Sequence, residues 1–182
     1  MVVTGLVEQA QHGDRDAFEA FASSVLDDLY SAAVLMVHDP ALAEDAAQEA
    51  LVRAWRGLPR LRDPGRVRPW LYRILLNACA DTARQARSGG ITAQTLEWVE
   101  ADGRFELEIE RRDAIARCLA RLTPRQRGVL ILRYFVGLSV PEVAAASGVP
   151  VGTAKSRLHG ALNALRAALD ADARPATQGG LA

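Results

Sequence analysis

The basic side chains decide what chemistry this sequence offers: there are 22 of them, and Lys155 is the only lysine. A guanidinium is a permanent cation with a planar fork of donors, suited to phosphate oxygens. Nine arginines fall between residues 51 and 90 against only Asp63 and Asp81, and eight cations fall between 117 and 169 against only Glu142. The acids are equally segregated. Residues 1–50 set ten of them against Arg15 alone, and residues 91–116 carry seven against three arginines, although the formal net charge of the chain is +0. A solvated surface tends to intersperse its signs, so blocks of one sign point to separate partners on separate faces. Two basic blocks imply two polyanion contacts, and the first acidic block implies a basic partner. Covalent chemistry finds no such concentration. His12, His38 and His159 stand far apart in sequence, neither Cys79 nor Cys118 has a metal-spaced neighbour, and there is no phosphate-binding glycine loop. The sequence therefore predicts a binding protein with no cofactor, no metal site and no catalytic centre.

An all-α chain is expected to position these groups. Hydrophobic residues make up 49% and aromatics only 5%, with alanine and leucine dominant, which favours helices over sheets. Asp16 and Glu19 are spaced as a capping box, and Phe18, Phe21, Val25, Leu29, Ala32 and Met36 then form one apolar stripe to about Val37. Asp39-Pro40 is a cap followed by a first-turn proline. It opens a second helix to about Leu58, with Leu42, Ala46, Leu51, Ala54 and Trp55 on its buried side. Pro59 to Pro69 reads as a loop, and Pro69 to Arg87 as a third helix stopped by Ser88-Gly89-Gly90. Residues 1–88 are expected to form one helical lobe, 89–108 a flexible acidic linker, 109–170 a second lobe and 171–182 a disordered tail. A linker of about 20 residues reaches at most roughly 66 Å. That is close to two turns of duplex at about 34 Å each, so one DNA molecule could meet both basic blocks.

The second lobe is more explicitly punctuated. A helix ends near Leu122, and then Thr123-Pro124-Arg125-Gln126 and Ser139-Val140-Pro141-Glu142 each combine a hydroxyl cap, an early proline and a reciprocal Gln or Glu. Between them Val129, Leu132 and Phe135 are spaced as a core stripe. Gly148 ends a short helix, and a last helix from about Val151 to Leu169 is expected to bury Ala154, Leu158, Ala161, Leu162, Leu165 and Leu169. A short helix, a tight turn and a longer basic helix make a helix-turn-helix, whose second helix enters the major groove. Thr153, Lys155, Ser156 and His159 would face the bases, and the amides around Val151-Gly152-Thr153 would suit a backbone phosphate. The plainer alternative is a helical hairpin with a solvated basic face.

The wording of both lobes resembles the bacterial RNA polymerase sigma factors. In the second lobe the resemblance is carried by Leu122-Thr123-Pro124-Arg125-Gln126, by Leu138-Ser139-Val140-Pro141-Glu142-Val143-Ala144 and by Gly148 through Leu158. In the first it is carried by Ala43-Glu44-Asp45-Ala46-Ala47-Gln48-Glu49-Ala50-Leu51-Val52-Arg53-Ala54-Trp55 and by Pro69-Trp70-Leu71-Tyr72-Arg73-Ile74-Leu75-Leu76-Asn77. It covers nearly the whole chain in order, and the small extracytoplasmic-function (ECF) subfamily of the sigma-70 family fits best. The resemblance implies a region 2 lobe, a region 4 helix-turn-helix lobe, and a dissociable subunit that gives core polymerase its promoter specificity. It implies core docking, on the clamp of the largest subunit, by Glu44, Asp45, Gln48, Glu49 and Arg53. Arg56 either continues that interface or pairs with an acid one turn away. It implies a minus-ten contact set of Arg62, Asp63, Arg66, Arg68, Trp70, Tyr72, Arg73, Asn77, Arg84 and Arg87, with Trp70 and Tyr72 available to stack on unstacked bases. The minus-thirty-five element would be read by Arg133, Thr153, Lys155, Ser156, Arg157 and His159. Further implied partners are the polymerase flap, promoter DNA and an anti-sigma factor. Gly160 stands where a basic residue is frequent in the family, which removes one phosphate contact.

Compartment and rival function are read separately. No apolar run approaches the roughly 20 residues that cross a bilayer, and the N-terminus lacks a signal-peptide pattern, so a cytoplasmic location is expected. Cys79 and Cys118 read as small buried helix residues, with a redox pair joining the two halves as the alternative. The rival function is a stand-alone helix-turn-helix regulator of duplex DNA. The acidic helix around Asp45 and the Asn77 helix would then have no purpose.

Overall fold

In the computed structural model the described residues are 2–88 and 114–173, and all of their regular structure is helical. The first lobe contains α1 (Val2–Gln11), α2 (Arg15–Val37), α3 (Pro40–Gly57) and α4 (Val67–Ser88), with short 3-10 turns at Leu58–Arg60 and Pro64–Arg66. The second contains α5 (residues 114–120), α6 (Pro124–Leu130) running on into a π-helical turn (Ile131–Phe135), α7 (Val140–Ser147) and α8 (Val151–Asp172). All of the linker expected over 89–108, and the tail expected over 171–182 from residue 174 on, lie outside the described residues. Helix α8 extends to Asp172, two residues into the expected tail.

Side-chain caps set the starts of α2, α3, α6 and α7. Asp39 Oδ1 accepts from the Leu42 amide at 3.0 Å and Pro40 follows as the first helical residue. At α2 the cap is Asp14, whose carboxylate accepts from the Ala17 amide at 3.0 Å, and the expected Asp16–Glu19 pair lies inside the helix instead. Both predicted capping boxes of the second lobe are formed, Thr123 with Gln126 and Ser139 with Glu142. Gly148 closes α7 in the left-handed region at φ 65, where a Cβ is penalised.

The core of the first lobe is knitted from small residues. On α3 the buried positions are Ala43, Ala46, Ala47, Ala50 and Ala54, so α2 and α4 approach its backbone closely. The larger residues expected on that face, Leu42, Leu51 and Trp55, are only half-buried. Trp55 packs against Phe18 with ring centroids 4.8 Å apart and the rings tilted by 56°. Phe21, Leu29, Leu58, Leu71 and Leu75 supply the bulk of the core; full burial of each contributes on the order of 2 kcal/mol. Helix α2 is long and apolar enough, at a mean hydropathy of 1.4, to cross a membrane by length and composition. Asp27 and Asp28 interrupt it, and its stripe of Phe21, Leu29, Ala32, Ala33 and Met36 faces the core, the pattern of an amphipathic helix packed by one face onto a bundle.

Two core expectations fail in the second lobe. Phe135 is 53% exposed, because the π turn inserts one residue per turn and rotates Tyr134 and Phe135 outward. Near the end of α8, Ala168 is buried and Leu169 is 37% exposed. The local encoding of this lobe is strong enough to test. Ser139→Ala should lower unfolding free energy by about 1 kcal/mol, read as a shift of the urea midpoint at unchanged slope.

Candidate nucleic-acid and partner interfaces

The acidic surface is a face of α3 and the groove between α3 and α4. Glu44, Asp45 and Gln48 are exposed, and Gln48 Nε2 donates to Glu44 Oε1 at 3.1 Å. The groove is lined by Asp45, Gln48, Glu49, Val52, Arg53, Ala78, Asp81, Thr82 and Gln85. Arg53 is not a free cation here. Its Nε donates to Glu49 at 2.7 Å and its Nη1 to Asp81 at 2.9 Å. Both acids raise its pKa. Arg53 therefore ties α3 to α4 and fixes two carboxylates along the groove.

The first basic surface is the loop after α3 and the first half of α4. Arg62, Arg66, Arg68, Arg73 and Asn77 are exposed. Asp63 is occupied locally, accepting from the Gly65 amide at 2.9 Å to cap the second 3-10 turn. Trp70 is half-buried: a Cβ on Gly57 would stand 3.2 Å from its Cζ2, so the benzene edge of the indole lies against the end of α3. Tyr72, expected as a stacking group, is 4% exposed and is part of the core. Burial pushes its phenol up to about 12, with Asp28 adding to the shift. Further along α4, Arg84 pairs with Asp81 at 3.4 Å and Arg87 Nε donates to the Ala83 carbonyl at 3.0 Å.

The second basic surface is the start of α8. Lys155, Ser156 and His159 are exposed, while Thr153 and Arg157 are half-buried. Pro150 precedes the helix and gives no side-chain cap, so the first amides of α8 are open to a ligand. Ser156 Oγ donates to the Thr153 carbonyl at 3.0 Å, and Asn163 Nδ2 lies 3.2 Å from His159 Nε2. Arg133 projects from the π turn, donating to the Leu138 carbonyl at 3.0 Å and lying 5.9 Å from the Tyr134 ring centre. Among the described residues no group of three or more His, Cys, Asp and Glu side chains converges as metal ligands would.

The two lobes meet along α4 and α7, and this contact is invisible in the sequence. Arg68 Nη2 donates to the Val136 carbonyl at 2.7 Å. A Cβ on Gly128 would lie 3.0 Å from Leu76, and one on Gly148 would lie 3.7 Å from the Arg73 guanidinium. A cleft lined by Leu61, Gly65, Arg66, Pro69, Trp70 and Arg73 is closed on its far side by Pro141, Glu142 and Ala145. The Glu142 carboxyl is held below its ordinary pKa by its bonds with Ser139, then by the charges of Arg68 and Arg66. The deepest contact is Arg127, 9% exposed. Its Nε donates to the Leu119 carbonyl at 2.9 Å, its Nη2 to Ala120 at 3.0 Å and Leu122 at 3.1 Å, and its Nη1 crosses to Met36 at 2.6 Å. The Leu119 and Ala120 carbonyls end α5 and that of Met36 lies in the last turn of α2, the negative poles of both helices, while Leu122 lies in the turn after α5. His38 stands beside it in the left-handed region at φ 57, with its Nε2 buried and unpartnered. Sequence reasoning gave neither residue a role. The one local signal was a further arginine inside a short helix whose other face is apolar.

Two family patterns match the chain: that of Sigma-70 region 2 over residues 21–89 and that of Sigma-70, region 4 over residues 112–165. The chain is 30% identical to the ECF RNA polymerase sigma factor SigW of Bacillus subtilis, covering 91% of this chain and 96% of that one. Among solved structures it is similar to CnrH in complex with the cytosolic domain of CnrY, at 31% identity, a TM-score of 0.73 and coverage of 95% of this chain and 100% of that one. It is also similar to the sigma factor RpoE in complex with the anti-sigma factor NepR from Bartonella quintana, at 28% identity, a TM-score of 0.69 and coverage of 85% and 98%.

Burial and the Arg127 charge lower the pKa of His38 from 6.5 to about 4. The structure holds the neutral ring, so its contribution to stability is intact above pH 6.5, declines as pH falls below that value and is lost by about pH 4. Asparagine tolerates the left-handed backbone and does not titrate. The melting temperature of wild type should therefore fall by a few degrees relative to His38→Asn as pH is lowered across that window. Parallel curves would remove the assignment.

Proposed function

The chain belongs to the ECF RNA polymerase sigma factors of the sigma-70 family, and from that premise we propose how its charged surfaces divide the work. A sigma factor confers promoter specificity: it joins core polymerase, recognises the promoter and starts transcription. The exposed side of α3, with Glu44, Asp45, Gln48 and Glu49, docks on a basic surface of the largest polymerase subunit, because an acidic face selects a cationic partner. Arg53 serves that interface from behind, by holding Glu49. The loop and α4 grip the melted minus-ten strand: Arg62, Arg66, Arg68, Arg73, Arg84 and Arg87 take phosphates, and Asn77 and Trp70 face bases. Asp63 shapes that loop through its cap. The start of α8 reads the minus-thirty-five duplex with Lys155, Ser156 and His159, while Thr153, Arg157 and Arg133 fix its register on the backbone.

The observation that carries this reading is the separation of an exposed acidic helix face and an exposed basic recognition helix onto two lobes of one chain. A stand-alone duplex regulator needs only the second. The chain works in the cytoplasm beside the polymerase and catalyses nothing itself; opening of the strand draws on binding energy. An anti-sigma factor is a further partner, as it is for RpoE of Bartonella quintana.

Reversing charge at Asp45 and Glu49 together should lower core polymerase affinity by on the order of 100-fold while leaving helix content unchanged. Retention of wild-type affinity in a pull-down titration would exclude α3 as the docking face.

A further inference from the structure

The loop of the first basic surface leaves α3 through the 3-10 turn at Leu58–Arg60 and reaches α4 through the second, at Pro64–Arg66. Its own backbone hydrogen bonds lie at those turns. They run from the Leu61 amide to the Leu58 carbonyl at 3.0 Å and from the Arg66 amide to the Asp63 carbonyl at 2.9 Å. Leu61 and Asp63 are both extended, so Arg62 sits on an extended length of chain between the turns. A tie from outside the loop fixes its entry. Gln11, the last residue of α1, donates from Nε2 to the Leu58 carbonyl at 3.1 Å and to the Leu61 carbonyl at 2.6 Å. An amide nitrogen carries two protons and a carbonyl can only accept, so donors and acceptors match. We propose that Gln11 is a positioning residue for promoter recognition: from α1 it holds the loop that meets the melted strand, so that base preference in the minus-ten element depends on a side chain outside that loop. This rests on the minus-ten reading given above.

A brace is only as firm as its mounting. Val7, one turn before Gln11 on the same helix face, is fully buried, and Ala10 is 2% exposed. The chain turns immediately after Gln11. The Gly13 amide donates to the Ala10 carbonyl at 3.0 Å with Gly13 at φ 93, and Asp14 then caps α2. Gln11 is itself half-buried, which limits the competition of water for its two bonds. Further along the loop Asp63 makes the corresponding tie locally, accepting from the Gly65 amide at 2.9 Å. Arg62, between the two ties, is exposed. A held loop penalises a base that does not fit, whereas a loose one adapts to it, so the tie bears on discrimination more than on affinity.

Three substitutions separate this role from a merely structural one. Gln11→Leu and Gln11→Glu both remove the donors, the second at nearly unchanged size, and Gln11→Lys supplies donors from a different side chain. Open-complex formation by holoenzyme is measured on a promoter library randomised over the minus-ten and minus-thirty-five elements. The readout is the ratio between preferred and other bases at each position. A charge added at residue 11 attracts or repels every strand alike and cancels in that ratio. One neutral hydrogen bond corresponds to about a five-fold shift in an equilibrium. The minus-ten preference should therefore fall about five-fold in Gln11→Leu and Gln11→Glu and be kept in Gln11→Lys. Core affinity and the minus-thirty-five preference should be unchanged in all three. Hydrogen exchange over residues 61–66 of the free full chain should quicken in Gln11→Leu and Gln11→Glu and stay slow in Gln11→Lys.

Three results overturn the proposal. Wild-type minus-ten preference or wild-type exchange in Gln11→Leu and Gln11→Glu, while Arg66→Glu still weakens open-complex formation, leaves the minus-ten reading standing and removes the brace. A preference lost in all three variants, or lost together with the minus-thirty-five preference and core binding, assigns Gln11 to folding alone. Open complexes indifferent to both Arg62→Glu and Arg66→Glu remove the minus-ten reading itself.

Discussion

A buried guanidinium holds this structure together. Arg127 has no carboxylate among its hydrogen-bond partners; its charge is met by four backbone carbonyls, three in the last turns of two helices and the fourth in the turn after α5. Removing water from a cation is costly, and the cost is offset only where its donors are satisfied and the local field is negative. Both conditions are met because α5 and α2 each end at the guanidinium. The same group thus turns the chain from α5 into α6, closing the second lobe, and reaches across to the first. Replacing it would strand several buried acceptors at about 1–3 kcal/mol each, which is why one residue links local folding of a lobe to the docking of two.

Charge on this chain has to be sorted by whether it is already spent. Arg53 counts as part of a basic block in the sequence, yet it is bound between Glu49 and Asp81. Asp63 and Glu142 are taken up by caps. What remains exposed includes carboxylates on α2 and α3, guanidiniums on the loop, on α4 and in the second lobe, and a mixed polar row on α8. Surface ion pairs such as Arg84–Asp81 are weak and can be exchanged for a stronger ligand, whereas the Arg127 contacts are buried.

The features written locally could be read from the sequence, and the features made by distant partners could not. Thr123 and Ser139 announce their helices through residues three positions on, and Gly148 announces its turn alone, so the helix-turn-helix was legible almost residue by residue. Helix α1 was missed because Val2–Gln11 carries no cap and interrupts its pattern with Gly5. Phe135 misled because periodicity assumes a regular helix, and the π turn breaks the period where it begins. Tyr72 misled for a different reason. An aromatic beside Trp70 in a basic segment suggests stacking, but whether it faces core or solvent depends on how α4 is wedged against its neighbours. The acidic and basic faces followed from charge blocks. The pairing of Arg68 with Val136 and of Arg127 with Met36 spans 68 and 91 residues, a separation at which no local pattern exists.

The two cysteines gain a meaning from their burial. Cys79 is 5% exposed and Cys118 fully enclosed, one on α4 and the other on α5. Burial raises both thiol pKa values, that of Cys79 to about 12. The reactive form of a thiol is its anion, and burial keeps Cys79 protonated at neutral pH. The redox pair that the sequence left open is thus disfavoured by the fold. Oxidants and alkylating reagents meet a surface without a ready thiolate at either site. Each sulfur sits in a different lobe, so the rate at which a thiol reagent modifies each one measures how often that lobe opens, with no label added.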